Sequence, residues 1–131
     1  MKSLIKLFFG IALFVLSIQS NVAQTTYSWV GGNGNWNLAS NWSPNGVPTS
    51  SDNVLIATGG TYTVTLDVDA TVADITIGGA TGGYQSFLMN GRALTVNGTA
   101  TISDSGKVSL TNSTVTGPGA LMNSGTMTVS G

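Results

Sequence analysis

The chain has 131 residues, no Cys, no His, five acidic and four basic side chains, and a formal net charge of −1. That inventory excludes thiol chemistry, disulfides, His-dependent nucleophilic catalysis and zinc sites built on Cys or His. All five acids are aspartates (Asp52, Asp67, Asp69, Asp74 and Asp104), and Thr, Ser, Gly, Asn and Val make up much of the remainder, which favours strands and tight turns over helices.

Residues 1–23 read as a separate object. "MKSLIK" supplies two lysines, Leu7 to Leu16 is an apolar run extended by Ile18, and "QSNVAQ" turns small and polar. Basic, apolar, cleavable is the order of a secretory signal peptide, with the cut expected after Ala23 or Gln24. The run is shorter than the ~20 residues of a spanning helix, so no membrane span is expected after cleavage, and the chain has no Cys to carry a lipid. The expected location is secreted or cell-surface. The remainder holds two bases, Arg92 and Lys107, against five aspartates, giving 2 − 5 = −3. Binding to phosphate backbones needs clustered Lys and Arg, so nucleic acid is not an expected partner.

Residues 24–53 contain all three tryptophans, Trp29, Trp36 and Trp42, among glycines, asparagines and serines. Two readings stand for them. Exposed indoles could stack on sugar rings, with Asn33, Asn35, Asn37 and Asn41 bonding hydroxyls. Alternatively the rings close one end of a repeat fold, each removing roughly 150–250 Å² from water. "GGNGNW" lacks the third glycine of a dinucleotide loop and the Gly-Lys-Ser/Thr of a phosphate loop, and reads as a tight turn.

Residues 54–131 read as short strands. In "TYTVTLDVDA", Tyr62, Val64, Leu66 and Val68 share one face while Thr63, Thr65, Asp67 and Asp69 share the other. Self-comparison finds a 19-residue offset: "LTVNGTATISDSGKVSLTN" from Leu94 lies over "STVTGPGALMNSGTMTVSG" from Ser113. Further steps back reach "ITIGG" at Ile75 and "IATGG" at Ile56. Ile56, Ile75 and Leu94 then form one column. Ile75, Ile77, Leu94, Val96, Ile102, Val108 and Val115 are expected in one core, with Thr76, Thr95 and Thr114 as an outward column. A single such coil cannot bury its own apolar face, so coils must stack. The expectation is an all-β, short parallel β-solenoid of 19-residue coils with an N-terminal aromatic cap. A small antiparallel sandwich is the competing architecture. Ice binding would need two in-register threonine columns, and this alignment supplies one, its second positions being Gly78, Asn97 and Thr116. The repeat runs to Gly131 without a closing cap, and a truncated C-terminus is expected.

Trp29, Gly31-Gly32, Gly34, Trp36, Asn41-Trp42, Pro48, Asp52 and Val54, followed by coils of the "LTVNGTATIS" type, resemble the opening segment of large secreted bacterial β-solenoid surface proteins, autotransporter-like and haemagglutinin-like adhesins. The resemblance implies the N-terminal part of a structural, adhesin-like repeat protein, with surface glycans or host and matrix proteins as partners. The alternative it leaves is a carbohydrate-binding module or the front end of a β-helical polysaccharide lyase.

The acids are the remaining source of chemistry. Asp67, Asp69 and Asp74 lie close in sequence and could hold Ca²⁺ through oxygen ligands or supply a carboxylate pair for glycoside cleavage. A solvated outer face accounts for the same residues. No catalytic residue, no cofactor site and no enzymatic activity is assigned to this segment.

Overall fold

The computed structural model describes residues 23–79 and 81–131. The signal-peptide expectation for residues 1–23 therefore lies, but for Ala23, outside the described residues. No helix among the described residues is long and apolar enough to cross a membrane.

Short β-branched and threonine-rich runs, separated by turns rich in Gly, Asn, Ser and Asp, form strands. A partial first coil comprises β1 (Thr26–Trp29) and β2 (Gly34–Asn35), followed by a 3₁₀ turn at Ala39–Asn41 and β3 (Trp42–Ser43). Three full coils follow: β4 (Asn53–Ile56), β5 (Tyr62–Leu66) and β6 (Ala70–Val72); β7 (Asp74–Ile77), β8 (Gln85–Asn90) and β9 (Ala93–Val96); β10 (Ala100–Ile102), β11 (Gly106–Thr111) and β12 (Thr114–Thr116). β13 (Leu121–Asn123) and β14 (Thr126–Ser130) begin the next.

Equivalent strands of successive coils pair in parallel and build three sheets, ordered β13-β10-β7-β4-β1-β3, β14-β11-β8-β5-β2 and β12-β9-β6. Among the described residues only the β1–β3 pairing is antiparallel. The chain is thus a parallel β-solenoid of about four turns, and the segment expected to cap it also contributes the first parallel rung, through β1 on β4 and β2 on β5.

Alternation of side chains decides what the sheets enclose. Tyr62, Val64 and Leu66 of β5 point inward, as do Phe87 and Met89 of β8 and Val108 and Leu110 of β11, and all are buried. Register stacks them: Val64, Phe87, Val108 and Met127 form one inward column and Leu66, Met89, Leu110 and Val129 the next. Coils come close enough at the corners to require glycine. Gly78 has φ +96°, and a Cβ there would lie 2.8 Å from the Gly106 Cα of the next coil.

The coil spacing departs from 19. That offset holds for β11 on β14, where Val108 meets Met127 (127 − 108 = 19). Elsewhere Val54 meets Ile75 (21), Tyr62 meets Gln85 (23) and Ile75 meets Ala100 (25). Turn length is the reason. Ile102 pairs with Asn123 at an offset of 21 while Val108 pairs at 19, so the turn after β13 is two residues shorter than the turn after β10. The shared Ser-Gly turns, Ser105-Gly106 and Ser124-Gly125, dominate the self-comparison and impose their local spacing on it.

The register also corrects the columns. Ile56 stacks on Ile77 and Val54 on Ile75, whereas Leu94 lies in another sheet, between Ala70 and Val115. The Ile75 and Leu94 strands are therefore not adjacent. Thr76 pairs with Thr101, and Thr95 with Thr71 and Thr116, so Thr76, Thr95 and Thr114 do not form a column. Six of the seven residues expected in the core are buried, but Val115, on the last described strand of its sheet, is 40% exposed.

Candidate functional site

The segment containing the tryptophans folds into a plug. β1 leads Trp29 inward, and since Ser28 is in register with Leu55, the next step sets Trp29 over Ile56. β2 is in register with β5 through Asn35 and Thr65, so Trp36 heads the column of Leu66. The chain then turns through Ala39–Asn41, and β3 returns antiparallel to put Trp42 opposite Trp29.

All three rings are buried, at 0%, 0% and 2% exposure. Trp42 meets Trp29 edge-on at 4.9 Å and 88°, and Trp36 at 4.9 Å and 76°; Trp36 also tilts against Phe87 at 5.8 Å. Such edge-to-face packing aligns the positive ring edge with the negative face. Two of the indole N–H groups bond inside the plug: Trp29 Nε1 donates to the Gly32 carbonyl at 3.0 Å and Trp42 Nε1 to the Trp36 carbonyl at 2.8 Å. Rings held this way offer no face to a ligand, so sugar stacking on Trp29, Trp36 and Trp42 gives way to the closing role.

The plug also closes strand edges. β3 occupies the outer edge of β1, and the Val30 amide donates to the Asn41 carbonyl at 2.9 Å. On β2 the same task falls to a side chain, Asn41 Nδ2 donating to the Asn35 carbonyl at 3.0 Å. Asp52, itself buried, accepts from the Thr49 amide at 2.8 Å and the Thr49 hydroxyl at 2.7 Å, fixing the turn that leads into the first full coil.

The calcium candidates are not assembled into a site. β5 ends at Leu66, so Asp67 and Asp69 occupy the following turn rather than one strand face, while Asp74 opens β7 in another sheet. Each carboxylate accepts a different backbone N–H: Asp67 from Asn37 at 2.9 Å, Asp69 from Ala93 at 3.0 Å and Asp74 from Thr99 at 2.6 Å. Among the described residues no three His, Cys, Asp or Glu side chains group to hold a metal ion. Their roles here are to tie a turn to its neighbouring coil.

Two features escaped sequence reasoning. Gln85 is buried at 1% exposure. Its Oε1 accepts from the Gly79 amide and the Ser105 hydroxyl, and its Nε2 donates to the Gly60 carbonyl at 2.7 Å, joining three coils. Tyr84 is exposed, with Lys107 Nζ 3.8 Å from its ring centroid. Neither residue sits in a recognisable motif. Gln85 was legible only as an inward position of a strand, and the 19-residue offset does not bring Tyr84 beside Lys107.

The sheet built on β5, β8, β11 and β14 presents a regular outer face. Thr63, Ser86, Lys107 and Thr126 form one row across the coils, and Thr65, Leu88, Ser109 and Thr128 the next. These alternate with the inward columns, and Lys107 is the only charged group among them. Neighbouring rungs lie about 4.8 Å apart.

These features define the class: a short parallel β-solenoid whose first end is closed by a tryptophan plug and whose β5-β8-β11-β14 sheet has a mostly polar outer face carrying one charge, Lys107. No protein-family model, curated protein or solved structure matches the chain.

Proposed function

We propose that the chain belongs to a secreted or cell-surface structural protein, adhesin-like in kind, whose solenoid holds a rigid polar face toward surface glycans or matrix proteins. The observation that carries this reading is the pair of in-register rows on the outer sheet face, Thr63-Ser86-Lys107-Thr126 and Thr65-Leu88-Ser109-Thr128. Hydroxyls both donate and accept hydrogen bonds, and a stacked backbone holds them at fixed spacing. Weak single contacts gain affinity by repetition on such a surface. The tryptophans contribute by keeping the end of the solenoid closed.

Two measurements test it. Intact mass of the exported protein is expected to show a start near Ala23 or Gln24, and a product still beginning at Met1 removes the export half of the reading. Retention on immobilised glycans or matrix proteins is expected for the native chain and lost when Ser86 and Ser109 are both changed to Glu with the cooperative melt preserved. Retention that ignores this double change places binding elsewhere. The carbohydrate-binding alternative draws support from one observation, the exposed Tyr84 ring beside Lys107. It requires that Tyr84→Ala abolish retention on glycans specifically.

A further inference from the structure

The outer face of the sheet built on β5, β8 and β11 changes character along its strands. Side-chain alternation sets Tyr84, Ser86 and Leu88 outward along one coil, with Thr63 and Thr65 beside them on β5 and Lys107 and Ser109 on β11. Where the strands begin, Tyr84 is 51% exposed and the Lys107 ammonium lies 3.8 Å from its ring centroid. The Tyr84 backbone is fixed there: its amide donates to the Thr61 hydroxyl at 3.2 Å and its carbonyl accepts from the Tyr62 amide at 3.1 Å. Where the strands end, the pairing of Leu66 with Met89 sets Asp67 level with Asn90, and the strand from Ser86 to Asn90 covers about 13 Å. Between these ends the outward side chains are hydroxyls and Leu88. A shallow depression of about 380 Å³ runs over Thr63, Ser86, Leu88, Lys107 and Ser109.

We propose that this face takes a short saccharide with one isolated carboxylate, a uronic acid ring seated at Tyr84 and Lys107 with its neutral neighbours running along the hydroxyls toward Asp67. The inference rests on the reading of this face as glycan-binding, and adds the charge and the direction of the ligand. Three observations select it. First, the ring quadrupole of Tyr84 holds the Lys107 ammonium in place, and an ammonium carries three donors, so N–H groups remain for a carboxylate while the uncovered part of the phenol packs against the C–H face of a sugar. Second, the charge must be sparse. Binding of dense polyanions needs runs of Lys and Arg, whereas residues 24–131 hold two bases against five aspartates, giving 2 − 5 = −3, and Lys107 stands alone on this face. One isolated ammonium matches one isolated carboxylate. Third, the face is polarised. Asp67 lies at the far end of the outward side, tied to the Asn37 amide at 2.9 Å, and repels an acid placed there, which leaves the Lys107 end for the acid and the hydroxyl stretch for uncharged rings.

The test is an NMR titration of the chain with two probes, a trisaccharide ending in glucuronic acid and the same trisaccharide ending in glucose. The probes differ only in a carboxylate against a hydroxymethyl group. Both are expected to shift the amides of Tyr84, Ser86 and Lys107, with the acidic probe about two- to fivefold tighter, the range of one exposed ion pair. Salt at about 1 M is expected to erase that preference. Lys107→Gln is expected to bring the acidic probe to the affinity of the neutral one, Lys107→Arg to keep the preference, and Tyr84→Leu to weaken both probes. Should Lys107→Gln unfold, the salt dependence of the native chain decides. Equal affinity for the two probes, or a preference that survives Lys107→Gln or high salt, overturns the inference. If changing Ser86 and Ser109 to Glu still abolishes both contacts in that case, the glycan-binding face itself stands. Failure of either probe to bind, or binding of both that ignores the serine changes, removes the face and the inference together.

Discussion

The first and last described rungs of this solenoid share the same inward columns and cover them differently. At the closed end the column of Leu66, Met89 and Leu110 begins under Trp36, and those three side chains are 1%, 0% and 5% exposed. At its last described rung the column reaches Val129, 72% exposed. The strand propensities, alternation and parallel pairing are alike at both. What differs is thirty residues that supply three large rings, an antiparallel return strand and an asparagine that satisfies a carbonyl. Stacking a coil repeats a structure, whereas ending one needs its own sequence, because a terminal coil faces water with an apolar side and unpaired backbone groups.

The sharpest way to break the comparison is to open the closed end. Trp42 touches both other indoles and donates its N–H inside the plug. Trp42→Ala is expected to cost about 3–5 kcal/mol, a large share of the roughly 5–15 kcal/mol that holds a small domain. Thermal or urea unfolding of the chain measures it. An unchanged midpoint would show that the plug covers the core without stabilising it.

A smaller effect is expected where coils are tied by a polar side chain. Gln85 bridges Gly60, Gly79 and Ser105 from a fully buried position. Gln85→Ala leaves the Gly60 carbonyl without that donor, and the loss is expected at about 1–3 kcal/mol. Hydrogen exchange on the first full coils, rather than on the plug, should report it. Accelerated exchange spread evenly over the whole chain would argue against a local tie.

Smaller again is the contribution of Tyr62. Burial raises the pKa of its phenol above the ordinary value of about 10, with Thr58 partly opposing. The folded state therefore prefers the protonated form. As far as this group is concerned, stability is level below about pH 10 and falls as pH rises through and beyond it. The hydroxyl lies near Thr58 but makes no well-formed hydrogen bond among the described residues. Tyr62→Phe is thus expected to flatten the alkaline loss and, at neutral pH, to leave stability equal or up to about 1 kcal/mol higher. A Tyr62→Phe variant with the native alkaline profile would remove the phenol from the account.

Much of this architecture was legible in the sequence. Period-two alternation in "TYTVTL" gave the inward faces, and the concentration of Trp in the one non-repeating segment gave the closed end. The coil register was less so, because similarity between coils is carried by turns as much as by strands. The Ser-Gly turns align at 19 residues, while the backbone, free to lengthen its corners, pairs most strands at 21 or more. The aspartates misled for a related reason. Asp67, Asp69 and Asp74 are near in sequence, but a solenoid turns a corner every few residues, and each acid ends on a different backbone amide. Gln85 and Tyr84 matter through contacts between coils, which only the correct register reveals.

The smallest expected effect lies at the last described rung and sharpens the comparison most directly. Val129 occupies the same column as Leu66, Met89 and Leu110, so sequence pattern alone assigns it the same weight. Its side chain is 72% exposed, and truncating it removes little buried surface. Val129→Ala is expected to change the unfolding free energy by no more than about 0.5 kcal/mol, the range of ordinary surface substitutions. Melting curves of the native chain and Val129→Ala measure it, and a loss as large as that of a buried residue in the same column would mean that Val129 is covered too.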